Sequence, residues 1–488
     1  MTPPASAVAL RTASAPTKTA EAKRALGQFF TPPALAAFIA SFFDRPRRDW
    51  RIVDAGAGGG ALTAALVQHA LKQKPLPRSI HVTAFEVDPA AVALLRSTLD
   101  DCATLCTGQC VEFGFEVHEE DFIAHTTEAF EQGLFSSAPR TYNAAIVNPP
   151  YRKLATGSAE HRRLTSIGID VSNLYSAFLA LLSRLLEDDG DLGAIVPRSF
   201  CNGPYFRSFR RDFLSRMSFR RLHVFESRSA AFSQDAVLQE NIVFRAVRSR
   251  VPPATVAIST SRGDLSDAVA VRNVAWKDIV YTDDPDSFIR LPSNDAQIEA
   301  CASIRRLKGT LAELGLKVST GKVVDFRARE YLRQEPDGTA IPLLYPCHFT
   351  DGMLNWPKLG GKKPNAIAVG PERTDLLVPS GIYVVVRRFS AKEERKRIVA
   401  SLLDPAHLPA STRWIAIENH LNYFHVGGAG LAIDLARGLA AYLNWAVLDD
   451  YFRHFNGHTQ VNATDLRSLP YPTLPTLTKI GQAIGKAR

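Results

Sequence analysis

Apolar residues along this chain gather into short runs, each closed by a polar or glycine-rich turn. Arg51-Ile52-Val53-Asp54 reads as a strand ending in an acid, the turn Ala55-Gly56-Ala57-Gly58-Gly59-Gly60 follows, and Ala61 to Leu71 keeps a helical pattern. A second strand, His81 to Phe85, runs into Glu86-Val87-Asp88-Pro89, and Tyr142 to Val147 is an unbroken apolar run suited to a buried strand. Strand, turn, helix and strand in this order form a nucleotide-type crossover and predict an open α/β, Rossmann-like sheet. The segment Lys72 to Arg78 lengthens that crossover and reads as a surface loop. The pattern divides the chain into a disordered tail (1–22), a first globular part (23–247), a connecting region (248–305) and a second, mixed α+β part (306–478). The connecting region holds strand-like pieces such as Ala254 to Ile258, and the last part closes with helix-like Ala432 to Asn456. No internal repeat is found.

The turn after Val147 carries the most specific chemistry. In Asn148-Pro149-Pro150-Tyr151, the Asn148 amide oxygen and the Pro149 carbonyl can both accept from one NH₂ group and aim its lone pair at an electrophile. Two prolines stiffen the turn, and Tyr151 offers a face on which a planar base can stack. The ends of strands are where open α/β sheets bind ligands. Upstream, the glycine turn lets a ligand approach the backbone while Asp54 can neutralise an ammonium group. No Gly-Lys-Ser/Thr follows, which disfavours a P-loop. Glu86, at the end of its strand, is placed to bind both hydroxyls of a ribose.

With glycine loop, ribose acid and Asn-Pro-Pro-Tyr in this order, the chain resembles the adenine-specific (N6) DNA methyltransferases of type II restriction-modification systems. Its cofactor motifs come first and its target-recognition region last. The resemblance covers roughly residues 24 to 250. It implies S-adenosyl-L-methionine as cofactor, with Thr31 of Gly27-Gln28-Phe29-Phe30-Thr31-Pro32 beside the methionine moiety. Asp54, Ala55, Gly56 and Gly58 would hold the amino acid part, Glu86 the ribose, and Asp121 and Phe122 the adenine ring. It further implies that Asn148, Pro149, Pro150 and Tyr151 form the catalytic loop, that Phe232 packs the other face of a flipped adenine, and that Asn173 to Leu182 and Gly190 to Pro197 are a late helix and strand of the core.

Composition changes the picture only at the margins. At 488 residues and 46% hydrophobic content the chain can build two or three packed cores. No signal peptide or transmembrane-length window is found, and six cysteines give no disulfide framework, so a cytoplasmic protein is expected. Cys102, Cys106 and Cys110 lie four apart with His118 downstream, but lack paired zinc spacing, and no metal is assigned. The net charge is +9. Two basic clusters stand out as phosphate contacts, Arg207 to Arg221 and the denser Arg387-Arg388 to Arg397 with Lys392 inside it. In the last part, whose resemblance is to a target-recognition domain, Lys322, Arg327, Arg388, Asn419 and Asn422 are side chains of the types that read base edges.

Double-stranded DNA is therefore the expected partner, and a monomer suffices to modify each strand in turn. About 25 residues precede the first cofactor motif, and Pro336-Asp337-Gly338 is not followed by Glu-x-Lys. A cognate restriction endonuclease would then be a separate protein, with no stable complex required. Three other readings are weighed. The same loop occurs in enzymes that methylate a glutamine amide of a protein, and an RNA amine is an alternative substrate. Cytosine-amine enzymes usually carry serine where Asn148 stands. A non-catalytic cofactor-dependent DNA binder would keep its role without Asn148.

Overall fold

In the computed structural model the chain forms two compact units, Met1–Ser293 and Asn294–Arg488. The structure describes residues 31–131, 141–225, 241–261, 270–292, 294–336, 340–390, 394–455 and 460–487. The tail over 1–22, the stretch Gly27 to Phe30, Phe232 and Lys392 lie outside the described residues.

The first unit is built on a nine-stranded sheet of β1 (Asp49–Ala55), β2 (Ser79–Phe85), β3 (Glu112–His118), β4 (Tyr142–Val147), β5 (Leu186–Pro197), β6 (Met217–Phe225), β7 (Asn241–Arg248), β8 (Thr255–Ser261) and β9 (Ala270–Ala275). Their spatial order is β3-β2-β1-β4-β5-β7-β6-β8-β9. β1 to β5 pair in parallel, and β7 enters antiparallel between β5 and β6. All six residues of β4 are buried, as a central parallel strand demands. The helices used below are α1 (Pro33–Ala40), α2 (Ala61–Ala70), α3 (Pro89–Thr107), α4 (Phe122–Glu131), α5 (Ala159–Ser166) and α6 (Leu174–Leu185). Asp88 caps α3 through its side chain, and Pro89 supplies the first helical position, where a missing N–H costs nothing. One core cluster joins Ile39, Phe43, Trp50 and Ile52 to Leu66, Val82 and Leu99.

Two boundaries differ from the sequence reading. Ala254 to Ile258 belongs to no linker, because β8 pairs in parallel with β6 and carries β9 behind it. The helix-like stretch Ala432 to Asn456 is two helices, Ile433–Leu443 and Ala446–Phe455. Asn444 interrupts it: its amide donates to the Ala400 carbonyl at 2.8 Å, a partner outside the helix.

The second unit holds a six-stranded and a five-stranded sheet of short strands. The first is ordered Lys317–Thr320, Leu421–His425, Tyr383–Arg387, Ala400–Leu403, Met353–Leu354 and Phe349–Thr350. Helix Leu474–Lys486 crosses Ile433–Leu443 closely: a Cβ on Gly438 would lie 1.9 Å from the Leu477 carbonyl, so only glycine fits. The unit therefore extends past residue 478.

Candidate active site

Strand register, more than any single side chain, assembles the site. Ala55 lies opposite Phe85, so Gly56 and Glu86 leave the sheet side by side. Ile52 lies opposite Ala144 and Val53 opposite Ala145, which carries Asn148 level with Gly56. Val147 opposite Ala194 sets Asn148 level with Ile195. The carboxyl edge thus reads Glu86, Gly56, Asn148, Ile195, and β1 and β4 flank the point where strand order reverses. Such a crevice is the ligand site of doubly wound sheets.

Around β1 the backbone is shaped for close approach. Gly56, Gly58 and Gly60 all take positive φ, and a Cβ on Gly58 would meet no atom within 4 Å. The Gly56 and Ala57 amides both donate to the Phe85 carbonyl at 2.9 Å, which locks the turn onto β2. Beneath it Asp54 is wholly buried. Thr63 Oγ1 donates to its Oδ2 at 2.6 Å, while Oδ1 is buried with no partner among the described residues. Burial raises its pKa to about 7, against the Thr63 hydrogen bond and with the nearby Glu86 charge adding to the rise. An orphaned carboxylate oxygen there fits an ammonium or other donor on a ligand, as the amino acid end of S-adenosylmethionine would supply.

Glu86 differs in being internally satisfied. Its carboxylate accepts the Gly58 amide at 2.8 Å, the Val87 amide at 2.9 Å and the Asp88 amide at 2.8 Å. A ribose would share or displace these bonds. Asp121 is exposed and accepts the Ala124 amide at 2.7 Å in the first turn of α4, whereas Phe122 is buried against Phe85 and Phe178. Ala55 is buried in β1.

The loop after β4 is tied from three sides. Asn148 Nδ2 donates to Thr31 Oγ1 at 3.1 Å, which joins this loop to Thr31 across 117 residues. Tyr151 donates its hydroxyl to Asn148 Oδ1 at 2.9 Å and lies 3.2 Å from the Ile195 carbonyl. Those contacts hold the Asn148 amide between two hydroxyls and tether the tyrosine ring by its hydroxyl. Downstream, the Leu154 amide donates to Ser172 and the Leu174 amide to Arg152, each at 2.9 Å. Pro149 is buried, and among the described residues no donor reaches its carbonyl. Tyr175 meets Tyr151 edge to face at 6.3 Å and bonds Ser199 at 3.0 Å. Thr63, Tyr175 and Ser199 were not singled out by sequence, because nothing in their own neighbourhoods marks them.

The basic clusters need correction. Arg210 is buried and donates to the Phe200, Gly203 and Asp286 carbonyls, Arg207 and Arg211 bind the Pro285 carbonyl, and Arg221 packs over the Phe42 ring. These arginines hold a loop in place. In the second cluster Arg387 pairs with Glu394, Lys396 donates to the Asn444 carbonyl, and Arg397 is buried on Ser390 and Phe452. Arg395 is exposed, while Arg388 is half-buried, 5.7 Å from the centre of the Phe389 ring, and bonded to the Asn419 carbonyl. Asn422 is removed from base reading: it is fully buried, donating to the Val461 carbonyl at 2.7 Å and accepting from Thr320 at 2.9 Å. Asn419 is half-buried and its backbone amide donates to the Val323 carbonyl at 2.9 Å, while Phe326 is 70% exposed beside Arg327.

A sheet of this order, with a glycine loop and acids at its carboxyl edge, defines an S-adenosylmethionine-dependent methyltransferase of the class I, Rossmann-like fold. Residues 105–232 match the family described as Eco57I restriction-modification methylase. The chain is 42% identical over 461 residues to the type II methyltransferase M.PstI of Providencia stuartii, covering 94% of this chain and 89% of that one. It is 38% identical over 465 residues to the type II methyltransferase M.BsuBI of Bacillus subtilis, covering 94% and 90%. The chain belongs to the type II DNA methyltransferases of restriction-modification systems. In fold it also matches the type IIL restriction-modification enzyme MmeI, solved in complex with DNA, with a TM-score of 0.55 at 9% identity over 93% of this chain and 66% of that one. No helix among the described residues is long and apolar enough to cross a membrane.

Proposed function

We propose that this enzyme methylates the N6 amine of a specific adenine, turned out of duplex DNA, as the modification half of a restriction-modification pair. The observation that supports the reading is the strand register that sets Asn148 level with Gly56 across β1 and β4, with the Asn148 amide bonded to Thr31. S-adenosylmethionine, when bound, supplies an electrophilic sulfonium methyl. Asp54 and the Gly56–Gly58 turn would hold its amino acid end and Glu86 its ribose. With its Nδ2 on Thr31, the Asn148 amide directs its oxygen as an acceptor to which a substrate NH₂ would donate. The Pro149 carbonyl takes the other amine hydrogen, so positive charge developing on nitrogen meets two fixed dipoles. Tyr151, tethered by its hydroxyl, presents its ring to the base, with Phe232 as the second ring of the sandwich. No protein nucleophile enters, and Cys201 is buried with its thiol pushed up to about 12 by burial. Asparagine at the head of the loop favours adenine over cytosine. Arg388, Arg395 and Asn419 would contact the DNA, and the enzyme would act as a cytoplasmic monomer.

The test is nucleoside mass spectrometry on duplex DNA incubated with purified protein and S-adenosylmethionine, beside Asn148→Ala. N6-methyladenine formed only by the unaltered protein is expected. Methylcytosine, or an equal yield from the variant, would overturn the reading, and an absence of DNA product would turn attention to RNA or protein amides.

A further inference from the structure

At the outer end of the same carboxyl edge lies a cluster that methyl transfer does not use. His118 closes β3, Glu120 lies in the turn that follows, and His125 sits in the first turns of α4. His125 Nδ1 is 3.1 Å from one Glu120 oxygen and His118 Nδ1 is 3.8 Å from the other. One ligand atom from each of the three lies within 4.8 Å of the others. Ligand atoms of a tetrahedral zinc ion with bonds of 2.0–2.1 Å stand about 3.3 Å apart, so small side-chain rotations would close the set.

Both imidazoles are held in place by one ring. Phe85 stacks on His118 at 4.7 Å and 14°, and meets His125 edge-on at 5.0 Å. On the far side of His118, Nε2 is 3.8 Å from Glu116, whose other oxygen is 3.8 Å from His81 Nε2. A small rotation would bring this carboxylate into hydrogen-bond range of the outer nitrogen, the partner that orients a metal-binding histidine. Cys102 and Cys106 are buried in the core on α3, where burial pushes their thiols up to about 12 and about 11 and away from the thiolate form a metal takes. An ordinary histidine–carboxylate contact would need neither the second histidine nor the outer carboxylate.

We propose that His118, Glu120 and His125 bind one divalent first-row metal ion of the zinc type, with water completing its coordination. The ion bridges the end of β3 to the start of α4, and so braces the turn carrying Asp121 and Phe122. It takes no part in the methyl-transfer step, and the assignment stands apart from the substrate proposed above.

Zinc titration of the EDTA-treated full-length protein by calorimetry tests this, with His118→Ala, His125→Ala and Glu120→Gln compared and circular dichroism used to check folding. One zinc per chain is expected in the unaltered protein, weakened at least about tenfold in each variant, and about tenfold by Glu116→Gln. Unchanged binding in all variants, or no zinc binding by the unaltered protein, would overturn the proposal. Should the variants fail to fold, zinc-edge X-ray absorption of the unaltered protein decides it. Nitrogen and oxygen neighbours with imidazole scattering support the site, and sulfur neighbours refute it.

Discussion

The carboxyl edge of the first unit and the polar surface of the second respond differently to folding. At the edge, residues chosen from motifs arrive together: Gly56, Glu86 and Asn148 stand in a row, with Asp54 beneath them, because three strand ends share one register. In the second unit, residues chosen by type are scattered. Asn422 goes into the core, Arg397 is buried, Arg387 pairs with Glu394, and Arg388 and Asn419 stay near the surface. A motif at the end of a buried strand inherits its position from the backbone. A basic or amide side chain in a loop-rich unit is claimed first by whichever carbonyl or carboxylate lies nearest, and only the remainder can meet a nucleic acid.

The sharpest way to break this contrast is Asn148→Ala. Removing one of the two acceptors proposed for the reacting amine should lower the methyl-transfer rate at saturating cofactor by about 10²–10³-fold, with S-adenosylmethionine affinity within a few-fold of the unaltered enzyme. Rapid-quench kinetics beside equilibrium dialysis separates the two. In the second unit, Asn422→Ala leaves the Val461 carbonyl and Thr320 hydroxyl without that amide. It should cost about 2–3 kcal/mol of stability, seen as a lower urea midpoint, while the recognised sequence stays the same. A changed recognition sequence would return Asn422 to the base-reading surface.

Asp54 gives a pH signature of intermediate size. Its folded pKa, raised to about 7, lies above the ordinary carboxyl value, so the free protein loses stability as pH rises from about 4 through 7. A ligand ammonium needs the ionised form, and cofactor affinity should therefore fall roughly tenfold between pH 7 and pH 5.5. Calorimetry on the unaltered protein and Asp54→Asn checks this, and a dependence persisting in the variant would assign it elsewhere. The smallest effect expected is from Arg388→Ala. DNA binding should weaken and the slope of log affinity against log salt should drop by about 1, measured by fluorescence anisotropy at several salt concentrations.

Much of the edge was legible in the sequence, because β1, β2 and β4 are apolar runs ending in residues whose chemistry is specific. The Thr31–Asn148 bond could be anticipated only as proximity, since it spans two distant motifs. The pairing of β8 with β6 was hidden, for a strand at a sheet's margin is recognised by partners remote in sequence. The break at Asn444 was hidden for the same reason, its hydrogen-bond partner lying at Ala400. His118, Glu120 and His125 are close in sequence, yet only the turn from β3 into α4, with Phe85 behind it, makes them converge.

The central claim is that the cofactor and the substrate amine meet along one row of strand ends. Hydrogen–deuterium exchange with and without S-adenosylmethionine tests it most directly. Slower exchange is predicted in peptides containing residues 54–60, 85–88 and 147–151, with the second unit's sheets unchanged. Unaltered exchange at all three segments, with protection appearing elsewhere in the chain, would contradict it.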